Sequence, residues 1–218
     1  KPYLNLGILL NQSGDNQQAL ACLEEALQHN RYFPAIHVAL AKAYHETGDT
    51  AGAIDHCRRA LELDPLDTSA ENNLGAILLG QGQAERALPH LKKVLELAPN
   101  HPEANINTGI AYYELENAPR AIFHLERAVF LAPEHPGARA ELGIALLREG
   151  RPEKARQHLE KAVELKPDYL KARLALADVF LEQGRAEPAA KQYRQILELN
   201  PGNETARKRL EVLFGMIR

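Results

Sequence analysis

The sequence has 218 residues, enough for one large domain or two small ones, and it is 45% hydrophobic, only 6% aromatic and free of Trp, a composition that suits packed helices and argues against strands. A formal net charge of -3 excludes the broad basic field that a phosphate backbone would need, so nucleic acid is not an expected partner. Cys22 and Cys57 show no C-x-x-C spacing, which excludes the usual zinc and disulfide frameworks, and no run of about 18 apolar residues offers a membrane span.

In chain order, the first unit covers about 1–33, with small residues Gly7 and Ala19, a turn at Gly14 and Arg31 where later units close on proline. Lys1 already falls inside its first helical pattern, so the sequence reads as trimmed, and compartment stays open. The second unit, about 34–67, carries Leu40, Tyr44 and Cys57 at buried-face spacing, turns at Gly48 and ends at Pro65. The third, about 68–101, repeats Gly75, Gly82, Ala87 and Pro99, and places Pro89 inside its second helix at the expense of one backbone hydrogen bond. In the fourth, about 102–135, Thr108 interrupts the apolar series and Glu116 stands where the turn glycine should be, so Asn117 is expected to supply the left-handed residue. The fifth, about 136–169, and the sixth, about 170–203, resume the pattern with Leu142, Leu146 and Leu159, then Ala177 and Ala189. Residues 204–218 read as a capping helix or the start of a seventh unit, with Leu210 and Phe214 on its apolar stripe and Phe214, Met216 and Ile217 as an apolar tail.

The recurrence is 34 residues: "AIDHCRRALELDP" lies over "ALPHLKKVLELAP" and "AIFHLERAVFLAP" with no insertion between them. When each unit's closing proline is numbered 32, position 20 is always Ala and position 8 always Gly or Ala. Small residues on both helices of a hairpin let their axes approach to about 8 Å. Proline then ends each second helix because it has no N–H to continue the ladder.

The order large-x-x-Leu-Gly-x-x-Tyr, then Ala, then a large residue, then Ala and Pro resembles the tetratricopeptide repeat, over nearly the whole chain and in phase across six units. No unit has that family's Trp at position 4. The resemblance implies an all-α, right-handed α-solenoid of tandem helix-turn-helix units, whose first helices line an inner wall that faces a bound partner.

His56, His90, His124 and His158 share position 23. Successive helices stand roughly 8–10 Å apart, too far for a shared metal whose ligands lie at about 2.0–2.1 Å. These histidines are therefore expected to be half-buried structural aromatics. His101 and His135 look like turn residues without a role. Phosphate-loop, nucleophile-elbow and zinc-protease signatures are lacking, so no catalytic residue, metal or cofactor is expected and the chain is not expected to be an enzyme.

On the wall positions that the resemblance implies stand Asn5, Lys42, Asn73, Ile106, Asn107, Ile110, Tyr113, Ile144, Leu147, Leu174, Asp178 and Leu181. They lack the lysine and asparagine set with which chaperone-binding members grip a terminal carboxylate. Instead, amides able to bond any peptide backbone alternate with aliphatics that would form an apolar patch if left uncovered. The expected function is a protein–protein interaction scaffold that holds a peptide or helical segment, centred on Asn107, Ile110, Ile144 and Leu147. The alternatives are a substrate-docking region of a larger enzyme, such as a glycosyltransferase, and self-association through the end near Lys1 or the tail at Phe214.

Overall fold

The computed structural model describes residues 2–216, leaving aside the side chains of Phe214 and Met216, so the expectations for Phe214, Met216 and Ile217 lie outside the described residues. Those residues form thirteen helices and no strand. First helices α1 (Pro2–Ser13), α3 (Pro34–Glu46), α5 (Thr68–Gly80), α7 (Pro102–Glu114), α9 (Pro136–Arg148) and α11 (Leu170–Glu182) alternate with second helices. The second helices are α2 (Asn16–His29), α4 (Thr50–Leu63), α6 (Ala84–Leu97), α8 (Ala118–Leu131), α10 (Pro152–Leu165) and α12 (Ala186–Leu199), and α13 (Glu204–Met216) follows. From α3 to α13, each first helix begins 34 residues after the last.

By packing, the chain divides into two compact units, Lys1–Leu115 and Glu116–Arg218. In the first, α1 pairs with α2, α3 with α4 and α5 with α6, while α7 lies on α5 and α6. Its core is built from Leu4, Leu23, Leu40, Cys57, Leu74, Ile77 and Leu91, all buried. The small residue at position 8 is what lets each hairpin close: a Cβ on Gly75 would stand 2.6 Å from Leu91 Cδ2, inside any permitted contact. In the second unit, α8 lies on α9, α9 pairs with α10 and α11 with α12, and α13 covers α12. Leu142, Leu146, Leu159, Tyr193 and Ile196 form its core, and a Cβ on Gly143 would stand 2.5 Å from Leu159 Cγ.

The turns show why the helices stop where they do. Gly48 takes φ 88°, and the next residue, Asp49, caps α4 by accepting from the Gly52 N–H at 2.9 Å. In the fourth repeat Glu116 itself takes the left-handed conformation, at φ 56°, and Asn117 does not. Asn117 stands at the residue that caps α8, where its Oδ1 accepts from the Arg120 N–H at 3.3 Å with φ -98°, so it is committed to the cap. The left-handed strain, about 1–2 kcal/mol for a residue with a Cβ, falls on Glu116 instead.

His101 and His135 also have a role: their Nδ1 atoms accept from Ala104 N–H at 3.3 Å and Ala138 N–H at 3.0 Å, capping α7 and α9 ahead of the prolines at the first helical position. Thr108 fills its core position without leaving a polar orphan, because its hydroxyl donates to Ala104 O at 2.7 Å. Helix α6 runs unbroken through Pro89, which faces solvent.

Candidate functional site

On the first helices of the first compact unit stand the wall amides Asn5, Asn73 and Asn107. Asn5 and Lys42 are exposed, Asn73 and Asn107 are half-buried, and Asn107 donates through Nδ2 to Asn72 Oδ1 at 3.1 Å. Tyr113 is half-buried, and Ile106 is buried with 8% of its surface exposed. Ile110 is half-buried and packs on the core of α3 to α6. Around α1, α3 and the start of α5 lies a pocket of about 270 Å³ lined by Ile8, Asn11, Val38, Lys42 and Asn73 among others. Asn11 stands on the same face and went unnoticed in the sequence, although its place in the repeat is a wall position. It donates to Ala39 O at 3.0 Å and is 8% exposed, and its Oδ1 is sealed from solvent without a partner among the described residues.

In the second compact unit the corresponding face is aliphatic. Ile144, Leu147, Leu174 and Leu181 are all half-buried. Two of its charges are already matched: Lys171 Nζ meets Glu141 Oε1 at 2.5 Å, and Asp178 accepts from Arg209 Nη1 at 3.1 Å and from the Tyr193 hydroxyl at 3.4 Å. Burial first, and then the Asp178 charge, push the Tyr193 hydroxyl above its ordinary value, so it stays a neutral donor.

A second polar set stands at position 4, where the Trp is missing. From the second repeat onward, each member secures the turn carbonyl two residues past the end of the preceding second helix, directly or, for Glu71, through Lys93. His37 donates from Nε2 to Arg31 O at 3.0 Å, which leaves Nδ1 to accept from His56 Nδ1 at 2.9 Å, and the Tyr44 ring stacks on His56. Buried Glu71 accepts from His90 Nδ1 and Lys93 Nζ, both at 2.6 Å, and the same ammonium donates to Pro65 O at 2.7 Å. Asn105 reaches Pro99 O at 3.2 Å. Arg139, Arg173 and Arg207 donate to the carbonyls of Pro133, Pro167 and Pro201 at 2.6, 2.7 and 2.6 Å. Arg173 also donates to Gln192 Oε1 at 3.0 Å and Gln195 Oε1 at 2.6 Å.

Two of the position-23 histidines are thus tied to position 4 of their own repeat. His158 is not, since its Nδ1 is sealed without a partner among the described residues. Burial lowers the pKa of both His56 and His158, with His37 the next cause for the first and Arg139 for the second, so both rings are held neutral. Among the described residues, no three His, Cys, Asp or Glu side chains are grouped to hold a metal ion. No described helix is long and apolar enough to cross a membrane.

Leu6 and Leu9 are exposed at 47% and 61%. The equivalent pairs in later repeats, such as Leu40 with Ala43 and Leu142 with Ala145, are buried.

No curated protein matches the sequence. Among solved structures, a chain of the APC/C hetero-tetramer Cut9–Hcn1 superposes with a TM-score of 0.92 at 18% identity, over 97% of this chain and 42% of that one. The present chain therefore spans 42% of the length of that relative. PilF of Pseudomonas aeruginosa superposes at 0.79 with 22% identity over 99% and 96% of the two chains. YrrB, described as a TPR protein with an unusual peptide-binding site, superposes at 0.61 with 20% identity over 85% and 96%. Two tetratricopeptide-repeat family models match the sequence, one over 78–140 and 146–211 and the other over 4–68 and 112–169, and the chain belongs to the tetratricopeptide-repeat family.

Proposed function

We propose that the protein is an interaction scaffold whose first-helix faces hold a peptide or helical segment of a partner protein. The family fold is in general that of a protein–protein interaction scaffold. The observation that carries the finer reading is the set of half-buried aliphatics Ile144, Leu147, Leu174 and Leu181, which lie off the positions that close each hairpin. Folding alone gives no reason for branched aliphatics there, and apolar side chains left partly uncovered on one face suit an interaction site. YrrB, with its peptide-binding site, lends the reading support from a protein of the same fold. Partner capture from native extract tests it, with wild-type protein beside Leu147→Asp: the variant should stay folded and lose capture, and full capture by the variant would end the proposal.

A further inference from the structure

The pocket formed by α1, α3 and the start of α5 has a chemistry of its own, and all of it lies within the first compact unit. Its floor is aliphatic, from Ile8, Ala35, Val38 and Ala39. Two further observations point to a ligand. The first is Asn11, which lines the pocket and is nine-tenths buried. Because Ala39 O is an acceptor, the atom facing it must be Nδ2, and that fixes the unpartnered atom as the carbonyl Oδ1. A buried acceptor without a donor is unfavourable in the free protein, and any N–H that reaches it recovers that loss. The second is Lys42, an exposed cation on the rim that makes no ion pair among the described residues. The one acid in the lining, Asp67, has its Oδ1 committed to the Ala70 N–H at 2.9 Å as the cap of α5.

Taking as its basis the reading of the first-helix face as a peptide-binding surface, we propose that this pocket takes an extended peptide in which an aliphatic residue is followed by an acidic one. The aliphatic side chain lies against Ile8 and Val38. A backbone N–H donates to Asn11 Oδ1 once the side chains that seal this oxygen from solvent shift. The acidic side chain pairs with the Lys42 ammonium, and the Asn73 carboxamide, able both to donate and to accept, holds the next peptide group. An extended backbone fits this set better than a helix, because a helix spends its N–H groups internally and has none to give Asn11.

The test uses fluorescein-labelled, amidated octapeptides in which Leu-Glu, Leu-Gln or Leu-Lys is embedded in Gly and Ser, titrated with the full chain and read by anisotropy. The Leu-Glu probe should bind best and Leu-Lys worst. Asn11→Leu should weaken the Leu-Glu probe by about tenfold, which corresponds to about 1.4 kcal/mol, and should change the melting temperature little, because the orphaned acceptor is removed together with the bond from Nδ2 to Ala39 O. Lys42→Glu should reverse the order of the Leu-Glu and Leu-Lys probes. Equal binding of the three probes, no binding of any, or an order unchanged by Lys42→Glu overturns the proposal. Leu147→Asp separates the two failures: if it abolishes partner capture while these probes fail, the pocket is wrong and the wider face stands, and if it leaves capture intact, the wider reading fails by itself.

Discussion

The first-helix faces of the two compact units share one repeat frame and differ in chemistry. In the unit ending at Leu115 the face mixes the amides Asn5, Asn73 and Asn107 and the cation Lys42, which has no ion pair among the described residues, with the aliphatics Ile8, Val38 and Ile110. In the unit beginning at Glu116 the face offers Ile144, Leu147, Leu174 and Leu181, and its charges at Lys171 and Asp178 are neutralised internally. The difference teaches which positions the fold needs. Leu23, Leu91 and Leu159 all press on a position-8 glycine in the same way, whereas the outward positions are free to vary because no hairpin closes on them.

The comparison can be broken at several depths. Leu142→Ala, which empties a fully packed site, should cost about 2–5 kcal/mol in thermal or urea unfolding. A smaller cost would mean that the stripe is not what holds α9 to α10. Glu71→Ala removes a carboxylate that is 4% exposed and the bonds it accepts from His90 and Lys93, whose side chains still reach water, and should cost about 1–3 kcal/mol.

Acid should act more gently. His56 and His158 have folded pKa values below the ordinary 6.5, so the unfolded chain binds more protons between the folded and unfolded values. Their contribution is complete above about pH 6.5 and is lost as pH falls through the folded values. The melting temperature should therefore drop between pH 7.5 and pH 5, and His158→Leu should flatten that drop. An equal slope in the variant would exclude His158 as a source. Smallest in its effect on stability, Cys57 should resist thiol reagents in the native protein, because it is buried and burial pushes its thiol up to about 12. Labelling of Cys57 at the rate of an unfolded control would show that α4 opens readily.

The period, the position-8 contacts and the proline stops were legible in the sequence because each depends on residues close together or in fixed phase. Glu116 was misread because strain at a turn is decided by which neighbour the helix cap has already claimed, and Asn117 was claimed. The polar set at position 4 was visible only as a missing Trp. Its partners, His56, His90 and Gln192, stand 19 residues away on the second helix, and no local pattern reveals that pairing. Asp178 was legible as a wall position but not as the partner of Arg209, which lies 31 residues further along the chain.

The central claim is that outward first-helix residues serve binding while inward ones serve folding. Leu142 and Leu147 offer the most direct measurement, since both lie on α9 and differ mainly in the direction they face. Melting temperature and partner capture should be measured together for Leu142→Ala and Leu147→Asp. The account predicts a large loss of stability for Leu142→Ala, and for Leu147→Asp near-native melting with capture lost. If Leu147→Asp unfolds as readily as Leu142→Ala, or keeps full capture, the claim is contradicted.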